Sequence, residues 1–268
     1  MRGFVFVQRN SLFLNVMLHS LAGQIPHEVL ELLGYSIGAR LYWRQARLIP
    51  RPPQQMDRWL IIAAAIFGAF IGSKLLHILE HLPYLLRAQD WHLWLGGKSV
   101  LGGFLGGTLG VELAKRTIAW RTATGDAWIP ALPVGLMIGR IGCQVSGLWD
   151  QTFGVPTSLP WAWDYGDHIG RHPAAAYEII LVGLLAWAVM RHVPRGSGRR
   201  YALFMAGYCV IRVVLEFIKP PFGLGAPGTL PVTLYLHLTA IQWAAVLGMG
   251  YFAHRFYKLG TLNRDSHG

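Results

Sequence analysis

Residues 59–80 read WLIIAAAIFGAFIGSKLLHILE, an apolar run with two glycines four residues apart, Gly68 and Gly72, and a lysine, Lys74, in its second half. At 1.5 Å per residue, a helix of this length crosses the roughly 30 Å hydrocarbon layer of a bilayer, so the segment predicts a transmembrane span. Further apolar runs occur at 27–43 on one side and at 99–115, 127–147, 173–190, 201–218 and 232–254 on the other. Together they predict an all-α polytopic membrane bundle of seven transmembrane helices. Composition points the same way: of 268 residues, 53% are hydrophobic and 14% charged, with 32 glycines and 11 tryptophans. So few charges cannot cover a soluble surface of this size, which excludes a disordered chain, a disulfide scaffold and an ordinary cytosolic enzyme. Cys143 and Cys209 both lie in apolar runs, which argues against disulfides and a zinc cluster, and no metal is expected.

The stretch before the first span, 1–26, is apolar but broken by Arg9, Asn10 and Asn15, and it lacks a small-residue cleavage site. It reads as a retained interfacial segment, ahead of a membrane domain at 27–258 and a tail at 259–268. The net charge of +11 raises the question of nucleic acid, and the placement of the basic residues answers it. Arg44, Arg47, Arg51 and Arg58 follow span one; Lys115, Arg116 and Arg121 follow span three. Arg191, Arg195, Arg199 and Arg200 follow span five, and Arg255, Lys258 and Arg264 follow span seven. The opposite segments carry Arg2, Arg9, Arg87, Arg171 and Lys219. Cytoplasmic loops hold the Lys/Arg excess, so the N-terminus is expected outside and the C-terminus in the cytoplasm, with no nucleic-acid partner.

Gly68 and Gly72, then Gly102, Gly106 and Gly110, then Gly135 and Gly139 repeat at four-residue intervals, the spacing at which helices in a bilayer approach closely. Gly97-Lys98-Ser99 resembles the end of a phosphate-binding loop, but His92 stands where the motif's first glycine belongs, and no strand precedes it. Ionisable residues at membrane depth face a cavity or a partner. Arg140 lies in Gly139-Arg140-Ile141-Gly142, among small residues that leave its guanidinium open. Arg212 and Glu216 are four apart on one helix face and can pair. Lys74 is expected to snorkel to an interface, and Glu178 in span five completes the set. Arginine in an apolar cavity suits phosphate or carboxylate, and the commonest such anion at this depth is a phospholipid head group. The outward loop 148–172 carries Trp161, Trp163 and Tyr165 among prolines, as an interfacial arm does, and ends in Arg171-His172-Pro173. Proline starts span five, so Arg171 and His172 stand near a positive helix end, and His172 is a candidate proton acceptor.

Gly139-Arg140-Ile141-Gly142, the interfacial loop, and Arg171-His172-Pro173 followed by Tyr177-Glu178 together resemble the prolipoprotein diacylglyceryl transferase family. The resemblance extends to Leu101-Gly102-Gly103-Phe104-Leu105-Gly106-Gly107, to Tyr208 with Arg212, Glu216, Phe217 and Lys219, and to Gln242, covering about 27–254. It implies seven spans in the bacterial cytoplasmic membrane. It also implies transfer of the diacylglyceryl group of phosphatidylglycerol to the signal-peptide cysteine of a lipoprotein precursor, without metal or organic cofactor. Arg140 and Arg212 would then grip the lipid phosphate, with Glu178 and Glu216 orienting them or holding the helices in place. The glycines Gly102, Gly103, Gly142 and Gly154, with Arg171, are expected around the substrate.

The chain departs from the family at several points. Leu101 stands where the family carries a histidine, and Gly142-Cys143-Gln144-Val145-Ser146-Gly147-Leu148 replaces a segment with two asparagines and a glutamate. Asp150 is a candidate for the missing carboxylate, and His27, near the start of span one, for the missing imidazole. The catalytic set expected from sequence is therefore Arg140 and Arg212 on phosphate, with His172 or His27 near the proton. A second reading is a non-catalytic protein that binds anionic phospholipid. A solute transporter is disfavoured because no paired broken helices are visible in the two halves.

Overall fold

The computed structural model describes residues 25–47, 50, 52, 54–88, 90–220 and 230–265. The interfacial segment expected at 1–26 lies outside them except for its last two residues. The described residues are mostly helical. Helix α1 occupies 25–46, α2 Gln55–Arg87, the short α3 His92–Leu95, α4 Val100–Thr117, α5 Ala131–Val145, α6 Ala174–His192, α7 Arg199–Ile218 and α8 Ala240–Asp265. Among the described residues, four helical segments are long and apolar enough to cross a membrane: Gln55–Arg87, Gly125–Val145, Ala174–His192 and Arg199–Ile218. Glu28, Glu31 and Arg40 dilute α1, and Glu112, Lys115 and Arg116 dilute α4.

Glycine brings the helices together. A Cβ on Gly72 would overlap the Gly102 carbonyl oxygen, and one on Gly106 would overlap that of Gly68, so α2 and α4 meet backbone to backbone. A similar approach joins α1 to α5, where a Cβ on Gly34 would lie 2.9 Å from the Gly135 carbonyl oxygen. The apolar core lies around α7, where Phe204, Met205, Tyr208 and Cys209 are fully buried against residues of α4, α6 and α8.

The helix ends are closed by specific groups. Ser99 Oγ accepts from the Gly102 amide at the start of α4, and Lys115 and Arg116 stand in its last turn, complementing the dipole. Buried Asp126 accepts from the Gly198 and Tyr201 amides at 3.0 and 3.1 Å and so caps α7. Arg200 donates to the carbonyls of Val193 and Met190, closing the C-terminus of α6. At α8 the Thr239 hydroxyl accepts from the Gln242 amide and the Gln242 side chain accepts from the Thr239 amide, a reciprocal capping box.

Two boundaries differ from the expectation. Residues 234–239, expected inside span seven, form a hairpin of β3 Leu234–Tyr235 and β4 Leu238–Thr239, with Leu236 and His237 at positive φ in its turn. Helix α8 then runs on through most of the expected tail to Asp265. Within the loop 148–172, β1 Trp163–Asp164 pairs antiparallel with β2 Gly170–Arg171. Asp164 Oδ1 closes the turn by accepting from the amides of Gly166, Asp167 and His168, and Trp161 and Trp163 remain exposed.

Candidate functional site

One carboxylate organises the buried charges. Glu178, on the inner face of α6, pairs with Arg140 Nε at 2.9 Å and with Arg212 Nη1 at 3.1 Å, and accepts from the Tyr208 hydroxyl at 3.0 Å. Arg140 Nη2 reaches the other Glu178 oxygen at 3.2 Å. Arg212 also binds Glu216 at 2.9 Å, one helical turn on, and Lys219 approaches Glu216 at 3.9 Å. Three helices, α5, α6 and α7, thus hold two arginines together by two glutamates, all four residues under 9% exposed. The cluster is nearly neutral as a whole, as a charged group at this depth requires.

The arginines differ in what they face. A cavity of about 1210 Å³ runs between α1, α2, α4 and α5, with α7 and α8 closing part of it, and Arg140 is on its wall. At the same end stand His27, Glu31, Lys98 and Cys143; at the other end stand Arg47, Arg58, Glu112 and Arg255. Arg212 is not on that wall and reaches Arg140 through Glu178. Instead its partner Glu216 borders a separate pocket of about 150 Å³ with Lys219, His237 and Gln242. The large cavity exceeds the ~300–1,000 Å³ usual for small-molecule sites, and its long walls are apolar.

His27 lies at the end of the cavity near Arg140, with Nδ1 3.0 Å from Asp150 Oδ1 and Nε2 3.6 Å from Glu31 Oε2. Gly142 permits this, because a Cβ there would come within 3.3 Å of the His27 backbone. Burial opposes ionisation of Asp150, but the His27 imidazole and the Thr152 hydroxyl hold its carboxyl below the usual range. Cys143 Sγ is 3.5 Å from Arg140 Nη1. Leu101, where the resemblance implies a histidine, is 1% exposed and belongs to the apolar core.

Of the remaining expected site residues, one borders the cavity. Arg171 is held by Asp167 through two 2.6 Å bonds and lies over the Phe153 ring. His172 Nδ1 is 3.2 Å from the Tyr177 hydroxyl, which accepts from Trp161 at 2.7 Å; neither His172 nor Arg171 is on the cavity wall. Gly154 lets its strand close on His172, its amide donating to the His172 carbonyl at 2.8 Å. Gly102 sits in the α2–α4 crossing, while Gly103 borders the cavity. The Lys74 ammonium donates to the carbonyls of Leu95, Gly96 and Gly97 and fixes the turn before α4. Sequence reasoning overlooked Tyr208 as a partner of Glu178, and it did not bring His27, Cys143 and Asp150 together.

Comparison with known proteins supplies an independent line. A family model described as prolipoprotein diacylglyceryl transferase matches residues 29–256. Among curated relatives, a phosphatidylglycerol--prolipoprotein diacylglyceryl transferase of Nitrosomonas europaea is 32% identical over 242 residues, covering 85% of each chain. That of Methylibium petroleiphilum is 34% identical, covering 80% of this chain and 85% of its own. That of Nitratidesulfovibrio vulgaris is 34% identical, over 72% of this chain and 75% of its own.

Proposed function

Because the chain belongs to the prolipoprotein diacylglyceryl transferase family, we propose that it transfers the diacylglyceryl group of phosphatidylglycerol to the cysteine thiol of a lipoprotein precursor's signal peptide. The observation that carries this reading is Arg140, fixed by Glu178 on the wall of a cavity of about 1210 Å³ whose long walls are apolar. In the reaction the acceptor thiol loses its proton and the thiolate attacks the glyceryl carbon that bears the phosphate. A C–S bond forms, the C–O bond breaks, and its electron pair leaves on glycerol phosphate. Arg140 offers Nη1 and Nη2 to the charge growing on that leaving group, as a preorganised donor must. Arg212 acts at one remove: it shares Glu178 with Arg140 and so sets its position. His27, paired with Asp150 and on the same cavity lining as Arg140, serves the loss of the thiol proton in this reading.

In this reading the acyl chains lie along the apolar wall, and the protein is a multi-pass protein of the bacterial inner membrane. The helices α1, α2 and α4–α8 make seven crossings, with the N-terminus outward and the C-terminus cytoplasmic. The basic residues at the ends of α1, α4 and α8 support that orientation. The test is incubation of purified protein with phosphatidylglycerol and a lipobox peptide. Release of glycerol phosphate that requires both substrates is expected; release that ignores the peptide, or none, overturns the reading.

A further inference from the structure

Three residues far apart in sequence converge where the cavity meets Arg140. The ring nitrogen of His27, Sγ of Cys143 and a carboxylate oxygen of Asp150 all lie within 4.8 Å of one another. Each arrives for a local reason. Gly142 lets α1 pack close enough to deliver His27. Cys143 sits in the last turn of α5, and Gly147, at φ 63°, begins the 3-10 turn Gly147–Trp149 that carries Asp150 back over it. His27 Nδ1 is buried and 3.0 Å from Asp150 Oδ1, yet the pair lacks the alignment of a hydrogen bond.

We propose that His27, Cys143 and Asp150 form a three-ligand site for a divalent transition metal of zinc type, open on the cavity side. The donor set, one imidazole, one thiolate and one carboxylate, is that of such a cation. With bond lengths of about 2.0–2.3 Å, tetrahedral ligands stand roughly 3.5 Å apart, a separation these side chains reach by small torsional changes. The surroundings also fit. The second ring nitrogen of His27 faces Glu31 at 3.6 Å, and Asp150 accepts from the Thr152 hydroxyl, so two of the three ligands are oriented from behind. Two anionic ligands cancel the charge of the ion, and the charge of Arg140 is already met by Glu178.

Its role rests on the transferase reading. A thiol bound at the fourth position is deprotonated by the cation, its proton passing to water at the cavity mouth. The thiolate then attacks the glyceryl carbon as described above, and the thioether product, a weaker ligand, leaves. This assigns His27 as a ligand rather than a base, and it supplies thiol activation in a chain that carries Leu101 in place of the family's histidine. A covalent role for Cys143 does not serve the reaction: alkylation of its own sulfur gives a thioether that no group nearby reopens.

The test uses the full chain in detergent, stripped with chelator and titrated with Co²⁺, then Zn²⁺. One Co²⁺ per chain with a thiolate-to-metal charge-transfer band is expected, displaced by Zn²⁺ and retained in Cys209→Ser. Cys143→Ser should lose the band, and Glu31→Gln should weaken binding about 10–100-fold while keeping it. Wild-type protein that binds no Co²⁺ stoichiometrically, or shows no such band, overturns the site without reliance on any variant. Transfer from phosphatidylglycerol is measured on the same samples. A rate at least about tenfold lower in stripped protein, restored by Zn²⁺, supports the role. Equal rates in stripped and loaded protein overturn the role and leave the transferase reading standing. A band without transfer in any sample overturns the transferase reading and leaves the metal site.

Discussion

Arg140 and Arg212 share one carboxylate yet have different duties, and substitution should separate them. Arg140 is on the cavity wall, so Arg140→Ala is expected to lower kcat by about 10²–10³-fold. Its loss leaves Glu178 with Arg212 and Tyr208 as partners, so the melting temperature should fall less than in Arg212→Ala. Arg212→Ala takes a partner from both Glu178 and Glu216, leaving Glu216 with only Lys219 at 3.9 Å, and is expected to destabilise by about 3–5 kcal/mol, read as thermal unfolding in detergent. Equal stability losses with equal activity losses would contradict this division. The arginines and Glu216 were legible because an ionised group in an apolar run has to find a partner, and the four-residue spacing of Arg212 and Glu216 announced theirs. That Glu178 orients the arginines came only from the family resemblance, and that this one carboxylate bridges both was not legible, since it joins residues 38 and 34 positions away. The His27, Cys143 and Asp150 cluster was hidden for the same reason, and Cys143 alone reads as a buried, inert thiol.

At the scale of elements, the helices were legible from their apolar lengths and the α2–α4 crossing from its glycine spacing. Gly106→Ala should destabilise by about 1–3 kcal/mol, because the added carbon meets the Gly68 and Gly72 backbones. Gly103→Ala, three residues earlier, faces atoms no nearer than 3.7 Å and should be neutral or slightly stabilising in the same thermal assay. The hairpin 234–239 was misread because its leucines and Tyr235 extend the apolar run of α8, and hydrophobicity alone does not reveal the turn. The hairpin 163–171 is tied by the Arg171–Asp167 ion pair in addition to its Asp164 turn. Arg171 holds the carboxyl of Asp167 below its usual range, a contribution present above the unfolded pKa of about 3.9 and lost as pH falls through the folded value. Proteolysis within 157–169 is therefore expected to speed up on acidification below about pH 4 in the wild type. In Asp167→Asn it should be fast at all pH values.

For the molecule as a whole, topology and chemistry meet in the cavity. Its two ends carry different groups: His27, Cys143 and Arg140 at one, Arg47, Arg58 and Arg255 at the other. The basic end is also tied down within the fold, since Arg255 pairs with Glu112 at 3.2 Å. The proposed orientation would place the Arg140 end toward the outer leaflet, and on it a reporter fused after Asp265 is expected to be active only in the cytoplasm. Apolar length made the helical architecture legible in outline; the cavity was not, because its walls come from six helices whose order in space no single segment records. The account as a whole stands on Arg140 meeting the lipid's phosphate during transfer. The direct measurement is mass spectrometry of a lipobox peptide incubated with phosphatidylglycerol and either wild-type protein or folded Arg140→Ala. A diacylglyceryl thioether on the peptide with the wild type, and at least about a hundredfold less with the variant, is the predicted result. Equal modification by both proteins would contradict it.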